Sequence, residues 1–447
     1  MVILRSVLRR AGRLPTLLVP SLTIASFRWP ILAQVGSSAG NAMASLGDSL
    51  LLVRMTADPA MLAIGWFVFA LPTLALGSWA GVWLQDRPLH AIAAWGTSLQ
   101  ALNEACLVWT IVGDDVRWWS LLLSFAVRGA ISAFATPASS AMLYATVPEE
   151  HRDNAVAVRT LAGPIALLIG VVFGAVALDS SSSLRIAVAT CVIANLASFV
   201  LFPAAVAGLG PEMPSRTWRY KPSPVPSVRR AWSVTRERHE LWMPLTGVAV
   251  MSMLAFQLGS VFVGLTSQTA LYTSMSVANA GGVACGATAA VLLSRSRPAH
   301  RSARPQRARV VTLIRLDALT ELTLADAAVP AALCVAGGEL AAAQTQAFAA
   351  RLAAFVIVGI GTGLFLACTV ALLLRVSGIE QTIVVGLTGV AQLGAGALGA
   401  LPIGLLARHS PVAALRVGAL AALAAAIVLF LARGHAARGA GAHPPVG

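Results

Sequence analysis

Charge is scarce in this sequence. Charged residues make up 11% of its 447, against about 25% in an ordinary soluble domain. Acids are scarcer still, with 18 Asp and Glu against 32 Lys and Arg, and nearly every basic residue is arginine. At 57% hydrophobic, with a mean hydropathy of +0.78, the chain does not have water as its main solvent. The five cysteines, Cys106, Cys191, Cys285, Cys334 and Cys368, are scattered and odd in number. No CxxC or Cys/His cluster occurs, so neither a disulfide framework nor a zinc site is indicated. They are expected to be small buried hydrophobes. No GxxxxGKS/T signature of an ATP-driven pump is present, and no HExxH or Ser/His/Asp set of a membrane hydrolase. Gly359, Gly361 and Gly363 have no strand before them and make no nucleotide loop. Neither a cofactor, a metal nor an enzyme activity is expected.

The net charge of +14 would suggest nucleic acid in a soluble protein. Here the basic residues fall in short segments between apolar spans, without the aromatic interleaving that binds single strands. They read instead as topology signals, and no nucleic-acid partner is expected.

What is present is apolar sequence in pieces of membrane-spanning length, which takes about 20 residues. Twelve spans are expected, at 30–52, 60–84, 90–112, 118–146, 155–178, 185–207, 241–264, 268–293, 318–338, 352–374, 380–406 and 411–432. In lipid they must be helices, because unpaired backbone groups are not tolerated there. A polar, basic, proline-rich stretch, Pro211 to Glu240, divides them six and six. The expected fold is therefore an all-α polytopic membrane protein of two pseudo-symmetric six-helix bundles. Its parts are a basic N-terminal arm (1–29), a first bundle (30–207), a central loop (208–240), a second bundle (241–432) and a tail (433–447).

Placing both termini and the central loop on the cytoplasmic side puts most arginines inside, as the positive-inside rule requires. The arginine-rich arm shows no small-residue cleavage site and is expected to stay as a cytoplasmic arm. The ninth span is the poorest, since 318–338 would bury Glu321 and Asp326. Either it starts later or those acids face a cavity. The halves echo each other: GSWAGVWLQDR (Gly77 to Arg87) lines up with GATAAVLLSRSR (Gly286 to Arg297). Repeated halves are a feature of secondary transporters.

Four stretches resemble the major facilitator superfamily, and within it the twelve-helix bacterial drug and siderophore exporters of the enterobactin-exporter type. They are Ala44 to Val53 (ASLGDSLLLV), the junction Gly81 to Arg87, Val127 to Val158, and Leu161 to Gly174 with its Gly-Pro pair. The second half is similar more loosely, through Gly386 to Ala407. One departure stands out, because Asp86 follows Gly81 by five residues where the family's motif has four.

Charges inside spans cost roughly 2.5–3.5 kcal/mol on insertion scales, so they mark function more often than decoration. Asp48, Glu104 and Arg128 are the candidates for proton coupling. An acid in low dielectric favours its neutral form when alone and its charged form beside arginine. A carboxyl that swaps between Arg128 and a proton would couple transport to the proton gradient. The resemblance implies the same, since helix 4 of the family carries its coupling arginine there. The competing reading is a static pair locking helices together, or Asp48 as an interfacial acid near Arg54.

Gly81, Asp86 and Arg87 are the expected inner gate, against ordinary topology punctuation. Gly163, Pro164, Gly170 and Gly174 are the expected hinge of helix 5, sliding against the other half, with Gly394, Gly396 and Gly399 in helix 11 in the same role. Gln100, Asn103, Met253, Gln257, Asn279 and Gln392 are the expected substrate-cavity residues, or else helix-to-helix hydrogen bonds.

Together these imply a monomeric secondary transporter in a bacterial inner membrane, exporting small lipophilic compounds against protons by alternating access. An importer of the same fold, or a non-transporting receptor or assembly protein, is the alternative.

Overall fold

The structure is a computed structural model that describes residues 20–84, 87–145, 147, 152–181, 183–207, 239–266, 268–295, 324–377 and 388–440. It is helical throughout, with no strand among the described residues. Six long helices form the first half: α1 (Ala25–Thr56), α2 (Ala60–Trp83), α3 (Leu89–Val112), α4 (Trp118–Ala145), α5 (Arg152–Ser180) and α6 (Leu184–Ala207). In the second half α7 is broken, running as His239–Val250, a π turn at Met251–Ala255, and Leu258–Leu265. There follow α8 (Thr269–Arg295), α9 (Leu324–Gln344), α10 (Phe348–Ser377), α11 and α12 (Pro411–Ala440). The described part of α11 opens with a π turn at Val390–Gly394 and continues as Ala395–His409.

Eight of these helices are long and apolar enough to cross a membrane, and α2 and α6 contain shorter apolar cores. Helices α1 and α3 fall outside both groups because they carry the buried polar residues. Large apolar side chains point outward along the bundle, among them Leu102, Trp109, Phe173, Leu398 and Phe430. In water that would be costly; against lipid tails it is the expected solvation. Tryptophans mark both ends, with Trp29 and Trp83 at one and Trp109, Trp118 and Trp119 at the other, as in an interfacial aromatic belt.

The packing repeats. In the first half α1 lies on α5 and α6, α2 on α4, and α3 on α4 and α6. In the second half α7 lies on α11 and α12, α8 on α10, and α9 on α10 and α12. Adding six to each helix number turns the first set into the second. The halves meet through α2 on α11 and α5 on α8, the same pairing reversed.

Small residues let the tightest of these seams form. Between α8 and α10, a Cβ at Gly282, Gly286, Gly359 or Gly363 would strike the backbone of the opposite helix. The two helices touch main chain to main chain, as small residues permit in membranes.

The ninth helix is a correction to the sequence reading. Its described part runs from Leu324 to Gln344, ending six residues beyond the expected 338, and Glu321 lies outside the described residues. Asp326 stands in its first turn. The cysteines are a second correction: Cys191 and Cys368 are buried, but Cys106, Cys285 and Cys334 face outward. A thiol is apolar enough for lipid to solvate it as well as a core does.

Candidate functional site

A buried polar cluster in the first half joins three helices. Arg128 on α4 places Nη2 2.8 Å from Oδ2 of Asp48 on α1 and 2.8 Å from Oε1 of Glu104 on α3. Asp48 and Glu104 are fully buried and Arg128 is 5% exposed. The contact with Asp48 has hydrogen-bond geometry; the contact with Glu104 is an ion pair without it. Arg128 also lies over the Phe125 ring, 5.6 Å from its centre. Asp48 is therefore a core residue and makes its ion pair with Arg128, which removes the reading of it as an interfacial acid beside Arg54.

The cluster is incompletely satisfied. Asp48 Oδ1, Glu104 Oε2 and Arg128 Nε have no hydrogen-bond partner. Two carboxylates against one guanidinium leave a surplus negative charge, which a single proton cancels. One nitrogen serving both acids means that protonating either leaves the other still paired. The arrangement can thus hold and release one proton without stranding the arginine, whose exposure to hydrocarbon alone would be the costliest outcome.

The predicted cavity residues divide. Gln100 donates to Ser132 Oγ at 3.1 Å and Asn103 to Ser124 Oγ at 2.8 Å, both tying α3 to α4 beside the cluster. Gln257 sits at the break in α7, where its amide donates to Ser252 O at 2.7 Å and to Gly396 O of α11 at 2.8 Å. It covers a carbonyl that the broken helix frees. Asn279 on α8 is half-buried, and its Oδ1 has no partner. Gln392 lies in the π turn of α11 and Met253 in that of α7, half-buried and 36% exposed respectively. An open cavity of about 720 Å³ lies elsewhere, between α5, α8 and α10, lined by Val172, Val176, Asp179, Thr273, Val277 and Leu352.

The helix 5 glycines do not face the other half as expected. A Cβ on Gly170 would strike Ala39 O, and one on Gly174 would crowd Met43, both on α1 of the same half. Contact with α8 comes instead from side chains such as Leu168, which lies against Gly281. Pro164 stands inside α5, and Gly163 has nothing within 4 Å of its absent Cβ. In α11, Gly394 meets Leu74 of the first half, whereas Gly399 lies against the Met253 carbonyl of its own half. Of the predicted inner gate, Gly81 lies in the last turn of α2 and Arg87 is exposed, its guanidinium 5.1 Å from the Trp83 ring centre. Asp86 lies outside the described residues.

Sequence reading missed a network between the halves. The face where α6 ends and α7 begins can be called the terminal face. Three cross-half polar bonds lie at the opposite face. Asp58 pairs with Arg408 at 3.0 Å, Arg54 reaches Thr269 at 3.5 Å, and Thr273 donates to Asp179 at 3.1 Å. Gly404 packs on Ala63 at the same end. Toward the terminal face Gly163 and Gly389 meet no neighbour within 4 Å. The halves are thus latched at one end.

These features have a counterpart among known proteins. The profile of the Major Facilitator Superfamily matches residues 17–316. No curated protein matches the sequence. Solved structures match over nearly the whole chain at low identity. A mutant of the nucleoside transporter NupG aligns with a TM-score of 0.67 at 9% identity, covering 91% of this chain and 99% of that one. The Escherichia coli fucose:proton symporter FucP aligns at 0.61 and 13%, covering 91% and 99%. A bacterial homologue of the human lysosomal transporter Spinster, in an inward-facing and unoccupied conformation, aligns at 0.57 and 13%, covering 92% and 96%. At such identities the likeness speaks for the fold alone. With the profile covering two thirds of its length, the chain belongs to the major facilitator superfamily and is a multi-pass membrane protein with that family's transporter fold.

Proposed function

We propose that the protein is a proton-coupled exporter of small lipophilic compounds, working by alternating access in a bacterial inner membrane with both termini cytoplasmic. The observation that carries this reading is the buried Asp48–Arg128–Glu104 cluster. Its surplus negative charge is cancelled by one proton, and its members sit on three helices of one half, so moving that half can change their exposure. The coupling partner is therefore the proton, and the substrate is apolar, in keeping with the scarcity of charge elsewhere within the spans. The terminal face is the cytoplasmic one, because the arginine-rich arm, the central loop and the segment after α8 all lie on that side of the sequence's topology. A latch on the opposite face supports an inward-facing conformation in this reading. A titratable cluster within one of two rocking halves fits such a cycle, in which the halves move about a central path.

The test is accumulation of lipophilic dyes and drugs in an efflux-deficient bacterial host, with and without a protonophore. Lowered accumulation that the protonophore abolishes is expected. Normal export by both Glu104→Gln and Asp48→Asn would overturn the coupling role of the cluster.

A further inference from the structure

The second half holds a buried acid that the proposed cycle does not use. Glu339 on α9 is 1% exposed and, among the described residues, makes no ion pair or hydrogen bond; its Oε2 is buried and unpartnered. Its place in the fold is that of Glu104. Asn103, the neighbour of Glu104, bonds Ser124 of α4, and Gly338, the neighbour of Glu339, lies against Ala354 of α10; Ser124 and Ala354 stand four residues before Arg128 and Val358. The same register carries Arg128 of α4 onto Val358 of α10, each ten residues from the start of its helix. Packing agrees with this, because a Cβ on Gly338, the neighbour of Glu339, would lie 2.7 Å from Val358 Cγ2. Val358 is fully buried. The second half thus keeps the acid and replaces its arginine with a valine.

The surroundings are built for a carboxyl group without a charge partner. Gly418 of α12 faces Glu339, and a Cβ there would stand 2.5 Å from Oε2 and 2.9 Å from Oε1. Glycine leaves the carboxyl group its place, where a Cβ would force it to shift. Around it Val335, Ala336, Ala414, Leu415 and Ala422 are buried. Other titratable groups on the packed helices do not reach it. On α10, Arg351 donates to Thr345 O, and Cys368 is buried more than a turn away along the helix; Arg375 is at the far, terminal-face end. On α12, Arg416 is exposed, and the basic residues from Arg433 onward are at that far end. On α8, Tyr272 is buried at the helix start and Cys285 faces outward. A metal cation would need several oxygen ligands, and no cluster of three or more acid, histidine or cysteine groups forms among the described residues. An ionised carboxylate buried without a partner costs far more than a neutral acid. A proton neutralises it without needing any further ligand.

We propose that Glu339 is a proton-binding site of the second half, seated between α9 and α12 and separate from the acid–arginine cluster. It loads a proton when the seam is closed and gives it up when the seam admits water. This goes beyond the export reading and does not rest on it, since the test below involves no transport.

The test is pH-difference infrared spectroscopy of the purified full chain in lipid, comparing wild type with Glu339→Gln. The expected wild-type spectrum contains the carbonyl stretch of a protonated carboxylic acid that disappears as the pH is raised. In Glu339→Gln the Glu339 band is lost while any band of the Asp48–Glu104 cluster stays, and in Glu339→Asp it is retained at a shifted frequency. Identical difference spectra for wild type and Glu339→Gln would overturn the proposal, as would a Glu339 band that persists into strongly alkaline buffer. Failure of Glu339→Gln to fold would also overturn it, because an amide occupies the space of a neutral acid and should be accepted wherever that acid is. Any of these failures leaves the export assay untouched, and a negative export assay leaves this band to be seen or not.

Discussion

The two halves share one packing scheme but distribute their polarity differently. The first half keeps its helices unbroken and buries two acids around an arginine. The second places at the equivalent positions a lone acid and a valine, and in the neighbouring seam an edge-on pair of aromatics, Phe262 and Phe355, with ring centres 4.6 Å apart. Its irregularity lies in the backbone, at the π turns of α7 and α11. A six-helix bundle therefore tolerates electrostatic and apolar solutions at the same seam. The first half is specialised for charge and the second for flexure.

The comparison can be broken most forcefully at Arg128. Arg128→Leu strands two buried carboxylates and is expected to cost about 3–5 kcal/mol, read as loss of folded monomer on size exclusion or a large fall in melting temperature. Combining it with Asp48→Asn and Glu104→Gln makes the first half as neutral as the second. Most of the stability should then return, while proton dependence of any flux does not.

In the second half, Gly399→Leu drives a side chain into the Met253 carbonyl and is expected to cost about 1–3 kcal/mol, checked by thermal unfolding in detergent. Gln257→Leu leaves the Ser252 and Gly396 carbonyls without that donor, costing about 1–2 kcal/mol if water does not replace it. The smallest effect belongs to the latch. Asp58→Asn breaks a half-exposed pair worth less than about 1 kcal/mol. It should hardly move the melting temperature, yet raise the accessibility of a cysteine placed near Ala63 to a membrane-impermeant thiol reagent.

Much of this fold was legible because lipid leaves a chain few options: long apolar runs must be helices, and most observed ends fall within a few residues of those expected. The ninth helix was misplaced for a physical reason. Arginines and acids before it blur its start, and its last turns carry Glu339, so an apolar search ends at 338, one residue short. That single residue hid the acid the structure makes most conspicuous. Asp48, Glu104 and Arg128 were legible individually, since each is costly where it stands. That one guanidinium nitrogen meets both acids was not, because no spacing along the chain relates α1 to α3 and α4. The break in α7 has no proline or glycine at Phe256 or Gln257 to announce it. The partner that steadies it, Gly396, is 139 residues away.

The glycine seam between α8 and α10 has a mechanical consequence. Two helices in main-chain contact over about two turns resist bending there together, because sliding would drive backbone into backbone. Any rocking of the second half must therefore carry α8 and α10 together. The compliance has to be found in the interrupted helices α7 and α11, which makes them the joints and the α8–α10 pair the arm they swing.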